Sequence, residues 1–275
     1  MRPLLGPLRD LRIFVRFVRE RGVRHAGRIG ALAVRGRLMA AADRRREAHF
    51  GVDSEGNIAL GQLAIESENR ALGFCYVPSP GLLVDTLLAN VGEELSRFSF
   101  VDFGSGKGRV LLVASHYPFR EVVGVEFSPE LHETAEANIR RYQSPQRRCP
   151  RVRSVCADAA TFALPAPDCV LYFNNPFAEP VFARVLANVQ AAHERSRGKL
   201  YVLYQQLAGE LETDRTQNIA MLGRSAFLRE RHVRFPSRRS RYLLGSYDLR
   251  MFESVDPASR RRLSSPCAAP PPSRP

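Results

Sequence analysis

The sequence predicts an α/β fold, a doubly wound and mostly parallel sheet, from three stretches. Residues 98–103 (Phe-Ser-Phe-Val-Asp-Phe) read as a short buried strand. It turns at Gly104, Gly106 and Gly108 into an apolar helical run over residues 109–117. Residues 121–126 (Glu-Val-Val-Gly-Val-Glu) read as a second strand ending on an acid. Ser128-Pro129-Glu130 follows at once: a hydroxyl cap, a proline suited to the first helical turn, and an acid at the positive helix end. Residues 169–173 (Cys-Val-Leu-Tyr-Phe) form another wholly apolar strand. Strands that alternate with helical segments call for a parallel sheet covered on both faces.

Taken in order, the chain begins with a helical pattern. Leu8, Leu11, Val15 and Val18 share one face, with Arg9, Arg12, Arg16 and Arg19 elsewhere around it. A second helix is predicted over residues 26–46, interrupted by Gly30 and Gly36. Residues 1–50 are expected to be a basic helical N-terminal extension packing on the domain with a solvated arginine face. The sharper alternative is weak attachment to an anionic surface, lipid or RNA. The arginines also suit a transit peptide, but the serine typical of one is missing from this stretch.

Residues 51–80 are irregular and end in Cys75-Tyr76-Val77-Pro78-Ser79-Pro80, where paired prolines keep the segment extended. Leu83, Leu87, Val91 and Leu95 then fall at helical spacing. A third strand is predicted at residues 152–156, followed by Asp158, and a fifth at residues 200–204 after the helical face of Phe182, Val185, Leu186 and Val189. Residues 226–235 and 242–252 supply the last two strands, joined through Pro236-Ser237-Arg238-Arg239-Ser240. The expected division is the extension (1–50), one catalytic domain (51–256) and a disordered Pro/Ser/Ala/Arg tail (257–275).

A chain of 275 residues buries one substantial core. Five cysteines, none in a C-x-x-C pair, indicate neither a metal site nor a disulfide framework, and favour a reducing, cytoplasmic setting. The histidines show no metal-ligand spacing, and no apolar run is long enough to span a bilayer. The net charge of +13 is unevenly spread: residues 1–50 hold 13 arginines against four acids, and residues 257–275 hold four arginines and no acid. The body between them is neutral overall, which makes nucleic acid a weaker substrate expectation than the basic pI suggests.

Three glycine-loop chemistries compete for residues 102–108. A dinucleotide fingerprint needs its third glycine at position 109, where Arg109 stands. A phosphate-binding P-loop needs Ser or Thr after Lys107 and an earlier glycine, and finds Gly108 and Val101 instead. What remains, Asp102-x-Gly104-x-Gly106-x-Gly108, resembles the first motif of the class I S-adenosylmethionine (SAM)-dependent methyltransferases. The resemblance spans residues 76–252 and also covers small stand-alone bacterial members; more distantly, the loop is similar to that of the non-SET histone-lysine methyltransferases. It implies a seven-stranded sheet with an antiparallel C-terminal hairpin and SAM as cofactor. Asp102, Gly104, Ser105, Gly106 and Gly108 would then bind the cofactor. Glu126 would take its ribose hydroxyls, Phe127 would lie against the adenine, and Asp158 would accept from the exocyclic amino group.

Asn174-Asn175-Pro176-Phe177, at the end of the fourth strand, is similar to the Asn/Asp-Pro-Pro-Tyr/Phe motif of methyltransferases acting on amino nitrogens, with Asn175 in place of the first proline. By that resemblance Asn174 and Pro176 belong to the catalytic tetrad, Phe177 stacks on the acceptor, and Tyr76 lines the acceptor site from the segment before the first core helix. The expected activity is methyl transfer from SAM to an acceptor, a nitrogen of a protein side chain or small molecule being favoured. An RNA or DNA N-methyltransferase docking through its basic ends, and a non-catalytic SAM-binding module, are the alternatives.

Overall fold

The structure is a computed structural model and describes residues 23–63, 72–207 and 216–255. The helix expected around Leu8 to Val18 and the tail expected after residue 256 lie outside the described residues. The second helix runs as one piece, α1 (Val23–Phe50), straight through both glycines expected to interrupt it. After an irregular stretch come α2 (Gly81–Leu88), β1 (Ser99–Phe103), α3 (Arg109–Ala114), β2 (Glu121–Glu126), α4 (Pro129–Arg141), β3 (Val152–Cys156) and β4 (Cys169–Phe173). The chain continues through α5 (Glu179–Ser196), β5 (Leu200–Leu207), α6 (Thr216–Arg224), β6 (Leu228–Arg231), α7 (Arg238–Leu244) and β7 (Tyr247–Ser254).

Among the described residues these strands form one seven-stranded sheet of order β3-β2-β1-β4-β5-β7-β6. The first five are parallel, with Phe103 of β1 opposite Val125 of β2 on one side and Phe173 of β4 on the other. β7 returns antiparallel between β5 and β6, as expected of the C-terminal hairpin. Strand order reverses between β1 and β4. Their carboxyl ends therefore bound the crevice where doubly wound sheets hold ligands.

The central strands β1 and β4 are buried at every position, which is why β4 reads as a continuous apolar run rather than an alternating one. One core lies under α2, α3 and α7 (Leu83, Leu87, Phe100, Leu111, Tyr172, Leu244). The other lies under α5 and α6 (Phe103, Phe173, Phe182, Val185, Leu222, Phe252). Complete burial of a side chain such as Leu83 or Phe100 stabilises the fold by about 1.5–3 kcal/mol each. The Ser128 cap forms as expected, its hydroxyl accepting from Leu131 N–H at 3.4 Å.

Two connections differ from expectation. Residues 236–240 are not a plain link between strands: Ser237 and Ser240 form a reciprocal capping box that opens α7, and this helix takes Tyr242 to Leu244 out of the predicted strand. The helix α6 was not foreseen. Nor is α1 an appendage along its whole length. Met39, Asp43 and Glu47 are buried, and Met39 joins the core beneath α2.

Candidate functional site

The glycine loop is built from backbone that only glycine tolerates well. Gly104, Gly106 and Gly108 all have positive φ, at 80°, 52° and 84°. Gly104 and Ser105 both donate to the Val125 carbonyl, at 2.9 and 3.1 Å, which ties the loop to the end of β2. Two close approaches add a second reason for glycine. A Cβ on Gly104 would lie 2.7 Å from Pro176 Cβ, and one on Gly106 would lie 2.2 Å from Tyr76 Cε2. The segment after β4 and the segment before α2 thus both rest on the loop. Gly106→Ala is accordingly expected to weaken SAM binding at least tenfold and to lower the melting temperature. A calorimetric titration and a thermal melt on the same preparation check it, and unchanged values in both would contradict this geometry.

Glu126 sits where β2 ends and is buried. Its Oε2 accepts from Gly106 N–H at 2.8 Å and its Oε1 from Ser128 N–H at 2.9 Å. Burial raises its pKa, against the pull of the Ser128, Gly106 and Phe127 N–H groups. Asp102 is buried near the end of β1, and its Oδ2 has no hydrogen-bond partner among the described residues. Its pKa is pushed well above the ordinary carboxylate range, first by burial and then by the nearby charge of Glu126. Two neighbouring buried acids, one with an orphaned oxygen, beside a glycine cradle suit a ligand that carries positive charge and hydroxyl or ammonium donors. SAM, a sulfonium with an ammonium group and a ribose diol, fits that donor and charge requirement.

Next to them lies a crevice of ≈ 320 Å³, almost wholly apolar, lined by Gly104, Val125, Phe127, Ala157, Asp158 and Phe177. Its lining suits a flat aromatic base. The structure therefore brings Glu126, Phe127, Asp158 and the glycines together. Asp158 also makes a local turn, its Oδ1 accepting from Ala160 N–H at 2.8 Å. One residue faces differently from expectation. The Ser105 hydroxyl lies against Gly124 of β2, so its side chain is directed at the sheet and not at the crevice. Phe177 bridges to Gly73 and lines both the apolar crevice and the adjoining one that holds Tyr76 and Asn174, so it sits between the base side and the acceptor side.

Tyr76 lies over Gly106 and donates its phenol to the Ser54 carbonyl at 2.6 Å. Burial raises its pKa, so it remains a neutral donor. The loop that receives it is fixed by Lys107, which holds Asp53 Oδ1 at 3.0 Å and the Glu55 carbonyl at 2.9 Å, and by the buried Asn138 amide. Behind Lys107, the buried Arg109 is gripped by α1: its Nε is 2.6 Å from Glu47 Oε1 and its Nη1 3.8 Å from Asp43 Oδ2. Arg109 Nε also donates to Ser54 Oγ at 2.8 Å. This network is invisible in the sequence, because its members lie up to 62 residues apart.

After β4, Asn174 donates through Nδ2 to the Val77 carbonyl at 2.9 Å, which leaves its amide oxygen as the side open to a donor. Asn175 has φ 42°, and its Oδ1 accepts from Tyr204 O–H at 2.6 Å. Proline, with φ fixed near −65°, cannot take that conformation. The departure from the Asn-Pro-Pro-Phe pattern is thus a change of backbone path, and asparagine is among the residues that reach positive φ most readily. Beyond it opens a second crevice of ≈ 600 Å³, lined by Val77, Ser79, Asn174, Gln205, Gln206 and Tyr247. Gln205 and Gln206 are not among the residues that the sequence singles out. Their signal there is two amides closing an otherwise apolar strand (Leu-Tyr-Val-Leu-Tyr-Gln-Gln-Leu). Among the described residues no cluster of ligating side chains could hold a metal ion.

Residues 101–192 match the family model described as a methyltransferase domain. No curated protein matches the sequence. Among solved structures, the chain is similar to a TehB-like SAM-dependent methyltransferase from Corynebacterium glutamicum, at 17% identity and TM-score 0.42 over 64% of this chain and 88% of that one. It is similar also to a putative RNA methyltransferase from Pyrococcus horikoshii, at 14% identity and TM-score 0.43 over 72% and 96%. A third is the magnesium protoporphyrin IX methyltransferase from Synechocystis with bound SAM, at 14% identity and TM-score 0.40 over 63% and 76%. Overlaps of this size say nothing about the acceptor. The matched segment runs from the middle of β1 into α5 and contains the glycine loop, Glu126, Asp158 and the Asn174–Phe177 turn, so the residues gathered around the crevice lie in a segment similar to a methyltransferase domain.

Proposed function

We propose that the acceptor is an N–H-bearing nitrogen of a small molecule or protein side chain, held in the crevice beyond Asn174. One observation supports this above others. Gln205 and Gln206 line that crevice with Asn174, and the side-chain oxygen of each is buried and has no donor among the described residues. A buried acceptor without a donor costs about 1–3 kcal/mol, so a substrate that brings N–H groups recovers that energy on binding.

The cofactor supplies an electrophilic methyl on a sulfonium. In this reading Glu126 and the glycine loop hold its ribose and amino-acid portions, while Phe127, Asp158 and Phe177 enclose the base. Asn174, with Gln205 and Gln206 beside it, accepts from the acceptor N–H groups and so turns the nitrogen lone pair toward the methyl. Such alignment supplies up to about 7–11 kcal/mol of a barrier in favourable cases. Tyr247 lines the same crevice, but burial raises its pKa and keeps it protonated, so it positions and does not remove a proton. The nitrogen accordingly arrives with its lone pair free, and the side chains align it rather than activate it.

The unit that does this begins within α1, because Glu47 and Asp43 hold Arg109 behind the glycine loop. Four of the cysteines are described, all with free thiols, which supports a reducing, cytoplasmic setting. No helix among the described residues is long and apolar enough to cross a membrane.

Radiolabelled SAM incubated with the protein and fractionated cell extract tests the reading. Acid- and base-stable label in protein or small-molecule fractions, identified as N-methyl by mass spectrometry, is expected. Asn174→Ala and Gln205→Leu should each lower kcat at least tenfold while SAM affinity stays within twofold. Base-labile ester label, or unchanged turnover in both variants, would remove nitrogen from the proposal.

A further inference from the structure

The neutral charge of the body hides a strong segregation at the outer edge of the sheet. Between Leu228 and Leu244 the sequence holds six arginines (229, 231, 234, 238, 239 and 241) and one acid, Glu230. All six arginines are exposed. Glu230 is already matched by Arg250 at 2.8 Å. Two exposed acids, Glu93 and Glu94, follow Gly92, Glu93 accepting from Tyr201 O–H at 3.1 Å, while Glu253 on β7 is buried and shared by three cations: Lys199 at 3.2 Å, Arg231 at 3.3 Å, and Arg229. Three positive charges on one carboxylate leave a surplus along this edge.

These groups do not lie on a flat face. Arg229, Arg231, His232 and Arg234 line one side of an open cleft of ≈ 1270 Å³, and the end of α2 (Asn90, Gly92) lines the other. The Asn90 amide grips the Arg234 backbone twice, donating to its carbonyl at 2.9 Å and accepting from its N–H at 2.8 Å, so the wall carrying the arginines is fixed against α2. Farther along α7, Tyr242 is 53% exposed and Arg35 of α1 sits over its ring at 4.3 Å. The chain also leaves β7 at this end of the sheet, with Val255 N–H bonded to the Phe227 carbonyl.

We propose that this cleft and the α7 ridge beside it bind the phosphodiester backbone of single-stranded RNA. Guanidinium forks match phosphate oxygens bidentately, a cleft accommodates a strand where a lipid surface needs a flat or convex face, and an exposed tyrosine offers a platform for a base. Glu253 faces β5 near its first residues, opposite Tyr201, whereas the methyl-transfer crevice lies at the carboxyl ends of β1 and β4. The surface therefore anchors the protein on RNA without presenting a nucleotide to the cofactor, and it stands or falls independently of the acceptor proposed above.

The test uses the full chain and a fluorescein-labelled 20-nucleotide oligouridylate, followed by anisotropy at 50–300 mM salt. Binding at 50 mM salt that weakens steeply with added salt is expected. The double variant Arg231→Ala/Arg234→Ala should bind at least tenfold more weakly. Its slope of log affinity against log salt should fall by about 1.4, since each phosphate neutralised on a single strand contributes about 0.7 and two arginines are removed. Because Arg231 also pairs with Glu253, a second variant, Arg238→Ala/Arg239→Ala, is measured in parallel and should also weaken binding. SAM affinity should be unchanged in both. No binding at 50 mM salt, wild-type binding by both variants, or equal competition by phosphatidylglycerol vesicles or polyglutamate would overturn the proposal.

Discussion

Glu126→Gln is expected to weaken SAM binding by about 30–150-fold and to leave the melting temperature nearly unchanged. In the proposed role the carboxylate offers a ligand diol two charged acceptors, and a hydrogen bond to a charged group is worth about 1.5–3 kcal/mol. Glutamine retains one neutral acceptor, so the loss is about 2–3 kcal/mol, which sets that range. Stability responds little because two effects oppose each other. The new amide cannot accept from both Gly106 and Ser128 N–H, but the substitution also removes a buried charge lying near Asp102. Alanine is the poorer probe, since it strips both N–H groups of their acceptor and damages the loop itself.

The same substitution has a proton signature. In the free protein Asp102 and Glu126 both have raised pKa values, caused first by burial. A bound cation favours the carboxylate forms, so binding releases protons and affinity rises with pH through the range above the ordinary carboxylate values. The contribution of these two groups to folding runs the other way. Each binds its proton more readily folded than unfolded, so stability increases as pH falls through the folded-state values. Calorimetric titration in two buffers of different ionisation enthalpy measures the proton count, which should drop in the glutamine variant. An affinity within threefold of wild type, with the fold intact, would remove Glu126 from the site.

Arg109→Ala should cost about 3–5 kcal/mol of folding stability, read as a lower urea midpoint, because breaking a buried ion pair leaves its partner charged and unpaired. Here two partners are stranded, since Glu47 and Asp43 are both buried against the guanidinium. The Ser54 hydroxyl loses a donor as well, and the Ser54 carbonyl is where the Tyr76 phenol anchors over Gly106. SAM affinity should therefore fall together with stability. A loss below about 1 kcal/mol would mean that α1 is not joined to the glycine loop in solution. A practical consequence concerns removal of the basic N-terminus. Cutting at residue 50 would strand Arg109, so a truncation meant to test surface charge has to leave Met39 through Glu47 in place.

The strand–glycine–helix order is legible because each signal is local. The apolar run of β1, the alternating glycines and the Ser128-Pro129-Glu130 cap lie within about 30 residues of sequence and are set by backbone preference. The same holds for Glu126, whose place at the end of β2 follows from strand length alone. The α7 helix escapes notice because its start signal is a pair of serines three apart in an arginine-rich stretch, which reads equally well as a loop. Asn175 looks like a defect in a motif, although its φ of 42° shows a different backbone path in which proline has no place. The charge of the body averages to zero because a sum over 206 residues hides the local excess on β6 and α7, and only the fold sets Arg229, Arg231 and Arg234 along one cleft.

What the sequence determined by itself was the fold class, the glycine loop and the acid one strand away, all of which depend on residues near each other in the chain. Only the tertiary structure decided that α1 braces that loop through Arg109, that Gln205 and Gln206 line the crevice beside Asn174, and that Arg229, Arg231 and Arg234 line one cleft. Those arrangements join residues from strands and helices far apart in sequence. Burial and pairing, which give each group its energetic weight, exist only once the sheet has brought them together.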